Sequence, residues 1–133
     1  MCPTDLARIA RIVARVRRDT GIEVTPIFVS VDPERDTPKK LKAYVAIFGK
    51  AFVGLTGTPA QVRDIAGKYH VYFKKVPYGD RGQYTMDHST FLFLLDRQGR
   101  YLDHFGRGME EVAVVQRIDA GLKGGAGVAR RAP

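Results

Sequence analysis

The chain has 133 residues, 44% of them hydrophobic, with one cysteine and a formal net charge of +8. That length is one domain's worth and buries a modest core unaided. A single thiol excludes an intramolecular disulfide, and no apolar run is long enough to span a bilayer or is preceded by the basic stretch of a signal peptide.

The charge suggests nucleic acid or a membrane surface only until it is located. Residues 1–18 carry five arginines against Asp5, residues 120–133 carry three bases and no acid, and the remainder is nearly balanced. Thr4 is placed to cap a first helix over residues 4–18, which Gly21 closes. Within it Arg8, Arg11, Arg15 and Arg18 recur at helical spacing opposite Leu6, Ile9, Val13 and Val16, the pattern of a solvated helix face. That face has neither aromatic stackers nor a phosphate-cradling glycine loop, so no nucleic-acid partner is expected.

Residues 24–31 are rich in β-branched side chains and nearly continuously apolar, which predicts a strand covered on both faces, with Pro26 making its start irregular. Thr37-Pro38 supplies a cap and a first-turn proline to a helix whose stripe is Leu41, Tyr44, Val45 and Phe48, ending at Gly49. A short strand over residues 52–55 follows. Thr58-Pro59 repeats the device before Val62, Ile65, Ala66 and Tyr69, and residues 71–73 read as another short extended piece. After a polar loop over residues 77–83, Thr90 to Leu95, the turn Asp96-Arg97-Gln98-Gly99 and Tyr101 to Phe105 read as a β-hairpin. A last helix over residues 109–120 presents Val112, Val115 and Ile118 inward, with Glu110 and Glu111 in its electropositive first turn. The tail from Gly121 to Pro133 lacks apolar periodicity and reads as disordered. Two βα units followed by a hairpin and a helix make an α/β sandwich with a mixed sheet.

The ordered stretches Ile27-Phe28-Val29-Ser30-Val31-Asp32-Pro33-Glu34-Arg35-Asp36-Thr37-Pro38, Phe52-Val53-Gly54-Leu55-Thr56-Gly57, Tyr69-His70-Val71-Tyr72 and Asp87-His88-Ser89-Thr90, together with Cys2-Pro3, resemble the Sco/SenC family of copper chaperones. The resemblance extends to about Ile118. It implies a thioredoxin-like fold over residues 1–120, and one copper ion held by two cysteines of a Cys-x-x-x-Cys-Pro motif and a distant histidine. It also implies service in assembling the copper centre of cytochrome c oxidase, whose copper-accepting subunit would be the partner. The implied location is periplasmic, or membrane-anchored and facing the periplasm or intermembrane space. Carried over by position, Cys2 resembles the second cysteine and His88 the histidine ligand, so the metal ligands expected here are Cys2 and His88.

The family's first cysteine has no counterpart in this sequence, nor have its anchor, its N-terminal strands and the central strand that leads into the motif. The resemblance therefore implies impaired copper binding, and a sheet whose segments 24–31 and 90–95 are left with an unpaired edge. Cysteine and histidine together suit soft Cu(I), and a thiol at a helix N-terminus is more easily ionised. Read without the resemblance, Cys2 is a free thiol at a chain end and His88 a strand-edge histidine. His70 and His104 read as packing residues. Asp87 either orients His88 or ends its loop, and Asp32, Glu34, Arg35 and Asp36 form either an internally paired turn or a docking surface. Two other functions compete. One is a thioredoxin-class thiol-disulfide oxidoreductase or peroxidase using Cys2, which has no second cysteine in the chain to resolve a mixed disulfide. The other is a basic interaction domain without metal chemistry.

Overall fold

A computed structural model describes residues 3–88, 91–124 and 128–131 of the chain. The element order is α1 (Pro3–Thr20), β1 (Ile27–Val29), α2 (Pro38–Ala46), β2 (Val53–Leu55), α3 (Pro59–Lys68), β3 (Phe73–Tyr78), β4 (Gln83–His88), β5 (Phe91–Asp96), β6 (Tyr101–Gly106), α4 (Glu111–Gly124) and β7 (Val128–Arg131). Among the described residues the sheet is in three pieces: a parallel β1–β2 pair, an antiparallel β3–β4 ribbon, and an antiparallel triplet in the order β6-β5-β7. This is the expected α/β architecture, with the single mixed sheet of the sequence reading divided.

Local chemistry explains most boundaries. Pro3 starts α1, so Thr4 lies inside the helix rather than capping it. Gly21, at φ 75°, closes it with a bond from its N–H to the Arg17 carbonyl at 2.7 Å. Thr37 caps α2, and Thr58 with Gln61 forms a reciprocal capping box on α3, with bonds of 3.1 and 2.9 Å. The strand expected over residues 24–31 is only Ile27–Val29. Pro26 brings no N–H to the ladder, and Ser30 is turned into the following loop, where its hydroxyl binds Asp36 at 2.5 Å.

Helix α1 unifies the core. Its Ile12 and Val16 join Val24, Leu94, Phe105, Val114, Val115 and Ile118 in one cluster. Its Leu6 and Ile9 join Phe28, Leu41, Val45 and Phe52 in another. Val13, on the apolar face of α1, packs half-buried against both clusters, whereas Val112, expected inward, is exposed because the buried stripe of α4 runs through Val114. Nor is the arginine face simply solvated. Arg8 donates to the Met109 carbonyl, and Arg11 pairs with Glu111 at 2.9 Å, tying α1 to the start of α4.

Two strands were not expected. Residues 77–83, read as a polar loop, lie largely within the β3–β4 ribbon, whose turn is made by Gly79 and Gly82 at φ 68° and 72°. Of residues 121–133, read as a disordered tail, residues 121–124 continue α4 and 128–131 form β7, which pairs with β5 from Phe93↔Arg131 to Asp96↔Val128 and also touches β1; residues 125–127 and 132–133 lie outside the described residues. Of the edge over residues 90–95 expected to be unpaired, Phe93 to Leu95 is therefore paired with β7.

Candidate functional site

The end of the domain that receives the start of α1 is fixed by charge. Asp5, buried in the helix's first turn, accepts from Arg107 at both carboxylate oxygens, Oδ1 at 3.1 Å and Oδ2 at 2.5 Å. A carboxylate there also meets the positive end of the helix dipole. Arg107 follows Gly106, which is registered against Phe91 at the start of β5. His88 ends β4 three residues before Phe91, registered against Phe73. Cys2 lies three residues before Asp5 but outside the described residues, as do Ser89 and Thr90; of Asp87 only the backbone is described, registered against Lys74. Phe91, three residues after His88, is thus registered against Gly106, whose neighbour Arg107 bonds Asp5, three residues after Cys2. His88 itself is half-buried and engaged with the protein around it.

The ribbon that carries His88 rests on the charged turn after β1. Within that turn Arg35 Nε donates to Asp32 Oδ2 at 2.5 Å, the Asp32 N–H to Ser30 Oγ at 3.0 Å, and the Asp36 N–H to the Asp32 carbonyl at 3.0 Å. The internally paired turn expected from the sequence is thus present. The same residues also bind outward: Arg35 Nη1 donates to the Tyr84 carbonyl at 2.8 Å, the Tyr84 hydroxyl to Asp32 Oδ1 at 3.0 Å, and Lys75 Nζ to Glu34 Oε2 at 3.2 Å. The Arg35 guanidinium carbon and Lys75 Nζ stand 4.0 and 4.1 Å from the Tyr84 ring centroid. Loss of water around the phenol and its bond to Asp32 push the Tyr84 pKa up to about 12. Nothing in the sequence pairs Tyr84 with a turn some fifty residues earlier, whereas the three-residue spacing of Asp32 and Arg35 does signal their contact.

The other histidines lie elsewhere. His70 follows α3 at φ 54° on the surface. His104 binds the Tyr101 hydroxyl through Nδ1 and packs against Phe91, with ring centroids 5.9 Å apart. Both behave as packing or surface residues. Among the described residues no group of three or more His, Cys, Asp or Glu side chains is placed to hold a metal.

Known proteins resemble this chain in sequence and in fold. The family model described as SCO1/SenC matches residues 1–123. An SCO2-like protein of Rickettsia prowazekii is 41% identical over 106 residues, 79% of this chain and 51% of its own. The mitochondrial protein SCO2 of Saccharomyces cerevisiae is 38% identical over 119 residues, 89% of this chain and 40% of its own. The chain thus spans about half the length of the curated relatives it matches, or less. Among solved structures, copper-bound ScoI of Arabidopsis thaliana superposes with a TM-score of 0.88 at 29% identity, covering 93% of this chain and 76% of that one. Copper-bound yeast Sco1 does so at 0.84 and 36% identity, covering 94% and 70%.

Proposed function

The chain belongs to the SCO1/SenC family, and we propose that it is a copper-binding, chaperone-like domain that holds Cu(I) through the Cys2 thiolate and the His88 imidazole. The observation that carries this reading is the family match along residues 1–123, supported by the copper that two similar structures hold. The donor set fits the metal, because a thiolate is a soft ligand and imidazole an acceptable partner. Pairing the two residues is supported by the Phe91–Gly106 register three residues after His88 and by the Arg107–Asp5 pair three residues after Cys2. The work of such a site is ligand exchange, in which an acceptor's soft ligands displace Cys2 and His88 one at a time, without a catalytic acid or base. The acceptor is the copper-receiving subunit of cytochrome c oxidase, and the place of work the periplasm or intermembrane space. No helix among the described residues is long and apolar enough to cross a membrane.

One thiolate and one imidazole hold the ion less firmly than two thiolates and one imidazole, since a soft ligand and a negative charge are fewer. Competition against a Cu(I) chelator tests the reading on the chain itself, on Cys2→Ser, on His88→Ala, and on a form extended to place a second cysteine four residues before Cys2. Each substitution is expected to weaken binding by at least about tenfold, the order of a lost ligand contact, and the extended form to bind more tightly. Unchanged affinity in both substituted proteins would remove the assignment.

A further inference from the structure

A two-stranded ribbon is marginal on its own in water and needs an outside contact to hold its place. Among the described residues the β3–β4 ribbon is bonded to the turn from Ser30 to Asp36, and that seat is stiff. Ser30 and Asp32 are buried, the Ser30 N–H is bonded to the Leu55 carbonyl at 2.9 Å, and the turn is closed by the Ser30–Asp36 and Asp32–Arg35 bonds. Two side chains meet it from the ribbon: Lys75, whose Nζ bonds Glu34 at 3.2 Å, and Tyr84, whose hydroxyl reaches Asp32 and, at 3.4 Å, Glu34, while Arg35 lies over its ring and bonds its carbonyl. The β3–β4 register is unbroken from Tyr78↔Gln83 to Phe73↔His88. Strand alternation therefore sets residues 84, 86 and 88 on one face, with Tyr84 and His88 roughly 13 Å apart along the strand. Met86, between them, lines a groove with Val31, Asp32, Pro33 and Glu34, which marks that face as the one turned toward the seat.

We infer that Tyr84 is a positioning residue for the metal site: by docking the ribbon on Asp32 and Arg35 it sets where β4 delivers the His88 imidazole. The inference rests on His88 being a ligand, and its test separates the two ideas. Full-length Tyr84→Phe, which keeps the ring beneath the cations and loses the bond to Asp32, and Tyr84→Leu, which loses both, are made in the wild type and in His88→Ala. Cu(I) affinity is read by chelator competition, and the His88 ring and amide resonances are read by NMR without metal.

Tyr84→Leu is expected to weaken Cu(I) binding about three- to tenfold, Tyr84→Phe by less, and neither to weaken it further once His88 is alanine. In the metal-free protein Tyr84→Leu is expected to shift the His88 resonances while those of Leu94 and Phe105 in the core stay put. Equal losses with and without the imidazole, or unmoved His88 resonances, would overturn the inference. If His88→Ala leaves affinity intact, the ligand assignment falls, and the His88 resonances still decide whether Tyr84 seats the ribbon.

Discussion

Removing residues 125–133 tests how the sheet is closed. Four register pairs join β7 to β5. Alternate pairs of an antiparallel ladder exchange two bonds each, so about four main-chain bonds are lost. At a net 0.5–1.5 kcal/mol apiece they contribute roughly 2–6 kcal/mol. Fixing four backbone residues costs about 1–2 kcal/mol each, roughly 4–8 kcal/mol in all, so the docked segment comes close to breaking even. Its deletion is therefore expected to move the thermal midpoint by only a few degrees. The larger consequence is at the strand it leaves. Phe91-Leu92-Phe93-Leu94-Leu95 is a run of five apolar residues, and an open edge of that composition recruits another strand. Sedimentation across a range of concentrations should show more association of the shortened chain than of the full chain. Amide exchange should show faster turnover at the β5 amides that face β7. A shortened chain that stays monomeric at every concentration, with β5 protection unchanged, would refute the reasoning.

Two further outcomes follow from packing and charge. A Cβ added at Gly54 would stand 2.7 Å from Leu41 Cγ, and Leu41 is buried in one cluster with Leu6, Ile9, Phe28, Val45 and Phe52. Gly54→Ala should cost about 1–3 kcal/mol in urea unfolding, and Leu41→Ala in the same chain should give part of that back; no loss would mean that the strand shifts freely. Burial alone would raise the Asp96 pKa, but the bonds from the Arg100 N–H and guanidinium and the Gln98 N–H outweigh it and hold the carboxylate below its usual range. The Arg11 bond lowers Glu111 likewise. A depressed carboxylate stabilises the fold above its unfolded pKa and ceases to do so as pH falls through its folded value. The urea midpoint should be flat above about pH 5 and fall below about pH 4, less steeply in Asp96→Asn; an identical acid limb in that variant would show that Asp96 is not responsible.

What the sequence determined by itself is what local chemistry and pattern encode. The Thr37-Pro38 and Thr58-Pro59 caps started α2 and α3 where they occur, Gly21 ended α1, and the run from Phe91 with its Asp96–Gly99 turn gave the β5–β6 hairpin. The residues Cys2-Pro3, Asp32–Pro38 and Asp87-His88 helped carry the resemblance to the family, because short motifs keep their order along the chain however it folds. Tertiary structure decided the rest. The β3–β4 ribbon escaped the sequence reading because Phe73-Lys74-Lys75-Val76-Pro77-Tyr78 has no apolar alternation, its stability coming from a seat some fifty residues away. The tail became β7 because an apolar strand with open N–H and C=O groups takes any segment within reach, a demand set by β5 and invisible in Val128-Ala129-Arg130-Arg131. Arg107 could be matched to Asp5, and Arg11 to Glu111, only after folding, since pairs about a hundred residues apart leave no periodicity to read and are chosen by which helix faces meet.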